Sequence, residues 1–175
     1  MAQFLKIISY PLSVIHYFFF GLLLLLFHPL QWIAFNLFGK QAHRQTVILL
    51  NKGLTFSLYF LFSRVKFINP YKLPENVPLI IVSNHQSTYD IPPMYAYLGK
   101  FFPNFVSKIE LGKGIPSVSY NLRHGDNVLI DRKDRRQSIN ALMEFGQKIE
   151  KEKLTAVIFP EVSRSKTAVP KPFRE

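Results

Sequence analysis

Residues 78–90 of this 175-residue chain read PLIIVSNHQSTYD. The first six, Pro78 to Ser83, are mostly apolar and rich in β-branched side chains, a pattern that predicts a buried strand. A helix is predicted from Ser87 to Leu98. His85 and Asp90 lie between these elements. On a straight helix they would point about 140° apart, so their side chains can meet only where the chain turns between strand and helix.

The same alternation of strand and helix continues along the chain. Val65 and Phe67 alternate with polar residues, as in a strand. Asp134 is a predicted cap for a helix that runs to about Lys151, with Ile139, Leu142, Met143 and Ile149 on its buried face. This order predicts an α/β fold with a mixed sheet flanked by helices. The other predicted elements are strands at 104–109, 127–131 and 154–159 and a helix at 117–123.

The first part of the chain is apolar. Residues 7–39 contain no charged side chain, and Tyr17 to Phe27 reads YFFFGLLLLLF. A bilayer core of about 30 Å needs about 20 such residues in a helix. His28-Pro29 predicts a kink or break. In the stretch from Thr46 to Phe62, Asn51 and Lys52 favour an interfacial helix over a second span. A signal peptide and a buried helix of a soluble protein are the alternatives.

The charges support a membrane surface. The net charge is +11, and no acid precedes Glu75. We therefore predict a membrane-associated helical hairpin in residues 1–70 and an α/β domain in residues 71–175, on the cytoplasmic face of the inner or cell membrane. The apolar content of 48% excludes disorder, and the absence of Cys excludes disulfide and thiolate chemistry. The bases around the two apolar stretches are Lys6, Lys40, Arg44, Arg64 and Lys66.

Polar residues follow four of the predicted strands, and ligands of open α/β sheets bind beyond the carboxyl ends of strands. Arg and Lys in these places suit a phosphate group. The basic run at residues 131–136 could also be a nucleic-acid patch, but two acids interrupt it and it contains no aromatic residue. No nucleic-acid partner is therefore predicted. The four clusters are His85/Asp90, Lys108/Glu110, Asp131/Arg132 and Glu161/Arg164.

The pair His85 and Asp90 could perform acid–base chemistry. A carboxylate on one imidazole nitrogen fixes the tautomer, and the other nitrogen can then take a proton from a hydroxyl. A simpler interpretation is that His85 makes an ordinary hydrogen bond in a loop and Asp90 caps the following helix. The spacing alone does not decide between the two interpretations.

Three motifs in order resemble the glycerolipid acyltransferase family, and most of all its 1-acylglycerol-3-phosphate acyltransferases. They are Asn84-His85 with Asp90, then Val128 to Arg132, then Phe159-Pro160-Glu161 with Ser163-Arg164-Ser165. The segment from Phe105 to Gly112 is also similar to the one that these enzymes carry between their first two motifs. The resemblance covers about residues 65–175.

The resemblance implies a glycerol-3-phosphate acyltransferase-like fold and transfer of a fatty acyl group from an acyl thioester to the sn-2 hydroxyl of lysophosphatidate. It implies that His85 is the general base and Asp90 its partner. By the same pattern Arg132, Glu161 and Arg164 bind the substrate phosphate, with Lys108 as a further contact. No metal or other cofactor is expected. Acyl-CoA or acyl-carrier protein would be the co-substrate, and lysophospholipid and membrane lipids the partners.

Two departures from the family pattern favour a different hypothesis. Val162 stands where the family carries Gly, and a β-branched residue would be strained there if φ is positive. The family continues with a fourth motif, whereas this sequence ends at Glu175, so we expect the acyltransferase domain to be incomplete. The alternative is therefore an inactive, membrane-associated lipid-binding homologue. A third hypothesis is a basic protein that binds anionic membranes without substrate specificity.

Overall fold

The computed structural model describes residues 2–161, 163–165 and 169, and for residues 2–7 the backbone alone. After a long N-terminal helix, four strands alternate with three helices, as the sequence predicts. Short 3-10 turns lie at Leu58–Leu61, Thr88–Asp90, Gly99–Phe101 and Ile109–Gly112. The main elements are α1 (Ala2–Ser57), β1 (Leu79–Val82), α2 (Ile91–Leu98), β2 (Pro103–Lys108), α3 (Val118–His124), β3 (Val128–Ile130), α4 (Arg135–Glu152) and β4 (Thr155–Ile158).

The strands form one sheet in the order β1-β4-β2-β3. Every strand pair in the described part of the chain is parallel, so the sheet is parallel where a mixed one was predicted. The reason lies in the connections. A helix follows each of the first three strands and carries the chain back to the same end of the sheet. The predicted α/β class, with helices flanking the sheet, is confirmed.

Hydrophobic side chains cover both faces of the sheet. On one face Tyr95 of α2 packs against Phe105 and Val157. On the other, Phe145 and Ile149 of α4 pack against Val128, Leu154 and Ala156. The predicted buried face of α4 is correct only for Ile149. Ala141, Phe145 and Ile149 recur every four residues and contact the sheet. The other three residues of the predicted face are exposed. These are Ile139, Leu142 and Met143.

Two strand predictions need correction. The segment around Val65 and Phe67 is irregular, and the Phe67 ring instead stacks on Tyr97 at 5.1 Å. Strand β1 forms where predicted, but it lies at the edge of the sheet and is not buried on both faces. Ile80 is 67% exposed and Val82 58% exposed.

Helix α1 folds back on itself at Gly39, whose φ of 81° interrupts the helical geometry. Only glycine adopts this conformation readily. The predicted break at His28-Pro29 is wrong, since the helix continues through Pro29. Residues 2–38 form a first arm and residues 40–57 a second arm. Leu24 of the first arm packs against Leu50 and Leu54 of the second, which confirms the hairpin.

The second arm lies against the sheet domain. Its Val47 belongs to the same buried cluster as Tyr95, Phe105 and Val157. The stretch Ile8–Leu61 is, by length and composition, long and apolar enough to cross a membrane, although Gly39 folds it into two arms. Apolar side chains of the first arm point away from the protein. Among them are Tyr10, Val14, Tyr17, Phe18, Leu25, Leu26, Trp32, Leu37 and Phe38.

The hairpin and the sheet domain are also joined by charges. Asp126, just before β3, is 2% exposed. Its carboxylate pairs with Lys40 at 2.5 Å, Arg44 at 2.5 Å and Lys148 of α4 at 2.8 Å. Burial alone would raise the pKa of Asp126, but hydrogen bonds from these three bases lower it to about 2. Lys40 and Arg44 were expected to face an anionic lipid surface, whereas the structure pairs both with this carboxylate.

We predict that Asp126→Asn lowers the free energy of unfolding by about 2 kcal/mol, because a buried carboxylate is lost and three bases lose their partner. The folded-state pKa lies below the unfolded one, so the stabilisation is complete above pH about 4 and is lost as the pH falls towards 2. Denaturant unfolding at pH 7 measures the effect. The control Glu75→Gln, in the exposed pair with Lys100, should leave the transition unchanged. Equal effects of the two substitutions would contradict the prediction.

Candidate active site

His85 and Asp90 meet in the turn between β1 and α2. The imidazole Nδ1 lies 2.9 Å from Asp90 Oδ2. The two side chains are only partly exposed. A carboxylate accepts hydrogen bonds, so the imidazole Nδ1 carries the proton, and in the neutral ring Nε2 presents a lone pair. The chain turns between the two residues, as their spacing requires.

Asp90 binds more than the imidazole. Its Oδ2 also accepts from the backbone N–H of Gln86 at 2.8 Å and of Ser87 at 2.9 Å. Ser87 caps the short 3-10 turn, and its hydroxyl accepts from the Tyr89 N–H at 3.2 Å. The side chain of Asp90 makes no capping bond to α2, so the interpretation of Asp90 as a cap of the following helix is wrong. The contact with Nδ1 is the one that the acid–base interpretation requires, and the acid–base role itself stays a prediction. One oxygen orders the backbone of the turn and orients the histidine.

Glu161 follows β4, the neighbour of β1 in the sheet, and is 1% exposed. Its Oε1 accepts from the backbone N–H of His85 at 3.1 Å and from Gln86 Nε2 at 3.3 Å. The glutamate of the third motif therefore binds the backbone of the first motif. Sequence reasoning assigned Glu161 to the site but did not identify Gln86 as its partner.

Two further bonds join the third motif to the first. The Ser165 N–H donates to the His85 carbonyl at 3.0 Å. Arg164 Nη1 donates to the Thr88 hydroxyl at 2.7 Å. Arg164 is thus placed beside the turn that carries His85 and Asp90. Val162, where a strained backbone was expected, lies outside the described residues, as do Pro172 to Glu175.

An aromatic ring supports the histidine. Phe159, the residue after β4, stacks on the His85 ring at 4.3 Å with an interplanar angle of 23°. It also lies nearly parallel to Phe105 of β2 at 6.2 Å. Sequence reasoning quoted Phe159 only as part of a motif. An aromatic residue at a strand end has many uses, so its contact with His85 could not be predicted.

Lys108 and Arg132 lie at the same edge of the sheet, further from His85. Lys108 ends β2, where it is opposite Ile130, and Arg132 follows β3. Both side chains are exposed. With strands about 4.8 Å apart, β2 lies about 10 Å and β3 about 14 Å from β1. The predicted basic residues therefore share the carboxyl edge with His85, and Arg164 contacts its turn through Thr88.

Two cavities among the described residues lie away from His85. One is lined by Arg44, Tyr95 and Asp126, at the amino-terminal ends of the strands. The other lies on the exposed side of α4, beside Asp134 and Asn140. Within the described residues, no group of three or more His, Asp or Glu side chains could hold a metal ion.

The chain belongs to the acyltransferase family, whose model, described as Acyltransferase, matches residues 64–175. It is 32% identical over 94 residues to a 1-acyl-sn-glycerol-3-phosphate acyltransferase of Saccharomyces cerevisiae, a match that covers 52% of this chain and 29% of that protein. It is 36% identical over 90 residues to the enzyme of the same name from Helicobacter pylori, covering 50% of this chain and 35% of that protein. The matched region thus spans about a third of each relative.

A solved structure is also similar. The 1-acyl-sn-glycerophosphate (LPA) acyltransferase of Thermotoga maritima superposes with a TM-score of 0.77 at 26% identity. The superposition covers 98% of this chain and 68% of the other. The similarity therefore includes the N-terminal hairpin as well as the sheet domain.

We predict that Asp90→Ala lowers the free energy of unfolding by about 2 kcal/mol, because two backbone N–H groups and the imidazole lose a charged acceptor. The matched control is Asp134→Ala, at the cap of α4. That carboxylate accepts a single backbone bond, from Gln137, so the cost should be about 1 kcal/mol. Chemical denaturation of both variants measures the difference. A smaller cost for Asp90→Ala than for Asp134→Ala would contradict the role of Asp90 in ordering the turn.

Proposed function

We propose that this protein transfers a fatty acyl group from an acyl thioester to the sn-2 hydroxyl of lysophosphatidate, giving phosphatidate for phospholipid synthesis. The observation that carries the proposal is the orientation of His85. Asp90 binds its Nδ1, and Nε2 keeps the lone pair that a general base needs. The names of the similar proteins support the choice of lysophosphatidate as acceptor.

The reaction follows from that orientation. His85 Nε2 takes the proton of the substrate hydroxyl while the hydroxyl oxygen attacks the thioester carbonyl carbon. A C–O bond forms and the C–S bond breaks, and the proton passes from Nε2 to the leaving thiolate. Asp90 stabilises the imidazolium that exists between these transfers. Phe159 and the Asp90 bond hold the ring in one orientation, so little reorganisation accompanies the proton transfer.

The substrate phosphate is assigned to the bases of the carboxyl edge. Arg164 is the nearest to His85, and Arg132 and Lys108 extend the positive surface across β3 and β2. A planar guanidinium can bind two phosphate oxygens at once. Glu161 is an acceptor and repels phosphate, so its part in binding is indirect. It holds the backbone of His85, and with it the turn that Arg164 contacts.

The hairpin is the proposed membrane anchor. We assign residues 1–70 to anchoring and residues 71–175 to the acyltransferase domain, on the cytoplasmic face of the membrane. The exposed apolar side chains of the first arm support this, because an apolar surface of that extent is costly in water. An anchor that rests on one leaflet brings His85 to the level where lysophosphatidate resides. Acyl-CoA and acyl-carrier protein both remain candidate donors, and no cofactor is proposed.

We predict that membranes containing the wild-type chain transfer acyl groups from acyl-CoA to lysophosphatidate, and that His85→Ala lowers kcat by about 10³-fold. Removal of a general base has an effect of this order. Radiolabelled phosphatidate formation measures both proteins, and acyl-carrier protein replaces CoA in a second series. Wild-type activity no higher than that of His85→Ala with either donor would favour the inactive lipid-binding homologue and refute the proposal.

A second prediction concerns the phosphate. Arg164→Ala should raise KM for lysophosphatidate about tenfold or more, since a hydrogen bond between charged groups is lost. The matched control is Arg123→Ala, an exposed arginine near the C-terminus of α3, at the opposite end of the sheet from His85. Its KM should be that of the wild type. An equal rise in both variants would indicate general attraction of anionic lipid and would argue against a phosphate site at Arg164.

A further inference from the structure

His16 is a polar residue inside the otherwise apolar first arm of the hairpin. It is 0% exposed, although its neighbours Tyr17 and Phe18 are largely exposed. A buried imidazole needs partners for its polar nitrogens. Nδ1 lies 3.0 Å from the carbonyl oxygen of Ser57, where the second arm ends. Nε2 lies 3.0 Å from the hydroxyl of Tyr89, which is 73 residues away in the chain.

The direction of both bonds follows from the chemistry of the groups. The Ser57 carbonyl can only accept, so Nδ1 donates to it. In the neutral imidazole Nε2 then has no proton, and the Tyr89 hydroxyl donates to it. Burial, together with a hydrogen bond to Tyr17, raises the pKa of Tyr89 to about 12, so the hydroxyl keeps its proton. His16 therefore links both arms of the hairpin to Tyr89.

Tyr89 belongs to the turn that carries His85 and Asp90. Its backbone N–H donates to the capping hydroxyl of Ser87, and Asp90 is the next residue. Its ring meets His16 edge-on at 5.4 Å and Phe20 at 6.2 Å, both from the first arm. The hydroxyl, the ring and the backbone of Tyr89 are thus all held. Tyr89 therefore connects His16 to Asp90, and a substitution at His16 would affect Asp90 through Tyr89.

We infer that His16 is a positioning residue of the active site. It acts through the Tyr89 hydroxyl, and it makes turnover depend on how the hairpin packs against the sheet domain. The inference rests on the proposed acyl transfer. Without the bond, the turn keeps its cap and the Tyr89 ring contacts but loses the hydrogen bond that joins it to His16 of the hairpin. The Asp90 carboxylate and His85 Nε2 then sample more orientations. Misplacement on the ångström scale slows chemistry more than it weakens binding.

The experiment compares five variants, together with His85→Ala, with the wild type in membranes. Tyr89→Phe removes one hydroxyl and keeps the ring contacts, so it should fold normally. We expect its kcat to fall about tenfold with KM for lysophosphatidate within twofold. Its unfolding transition should move to lower denaturant, because buried His16 Nε2 loses its donor. The control Tyr71→Phe, an exposed tyrosine in the irregular segment before β1, should match the wild type in all three measurements.

The role of His16 is tested by a conservative substitution that should restore kcat and by a double variant with Tyr89. His16→Phe should lose as much kcat as Tyr89→Phe. His16→Gln should recover part of it, because an amide oxygen can accept the tyrosine hydroxyl. The double variant His16→Phe/Tyr89→Phe should be no slower than Tyr89→Phe alone, since Tyr89→Phe already removes the bond to His16.

The possible outcomes separate the two proposals. An inactive wild type refutes the proposed acyl transfer and, with it, this inference. An active wild type with an inactive His85→Ala and an unchanged Tyr89→Phe refutes the inference alone. Lower stability of Tyr89→Phe with unchanged kcat means that the His16–Tyr89 bond is merely structural, and this also overturns the inference. Additive losses in the double variant would show that His16 and Tyr89 act separately.

Discussion

The hydrogen bonds to one oxygen, Asp90 Oδ2, determine the arrangement of the site. This atom accepts from the His85 imidazole and from two backbone N–H groups of the turn. The carboxylate that orients the histidine therefore also holds the backbone of the turn. Glu161 then binds the turn from the neighbouring strand through the His85 N–H. Because these bonds share atoms and backbone, a change at one residue shifts the others, and the site behaves as one unit.

Much of this arrangement could be predicted from local sequence. Short-range patterns predict the strand before His85 and the cap at Asp134. The rules of parallel sheets predict that the polar residues after the strands lie at one edge of the sheet. The Asp90–His85 contact was predicted as a possibility, since the spacing forbids it on a straight helix. The motif resemblance then selected the site residues, and the residues at its centre, His85, Asp90, Glu161 and Arg164, do lie together.

The errors have a common physical origin, because they concern contacts between residues distant in the chain. Pro29 suggested a break, yet packing against the second arm keeps the helix intact and Gly39 makes the turn. The apolar stripe of α4 was assigned to the wrong residues, since helical periodicity alone does not say which side meets the sheet. Asp126 had no partner within its own segment that the sequence could indicate, whereas its carboxylate pairs with three bases from two distant helices. His16 gave no local signal at all.

The central claim is that Asp90 fixes the His85 imidazole with its proton on Nδ1 and its lone pair on Nε2. Nitrogen-15 NMR of the histidine-labelled protein in lipid nanodiscs tests this directly, with His85→Gln to assign the signal. We expect a protonated, hydrogen-bonded Nδ1 and an unprotonated Nε2 for His85, and the loss of this pattern in Asp90→Ala. A proton on Nε2 of the neutral ring, or a His85 signal that Asp90→Ala leaves unchanged, would contradict the claim.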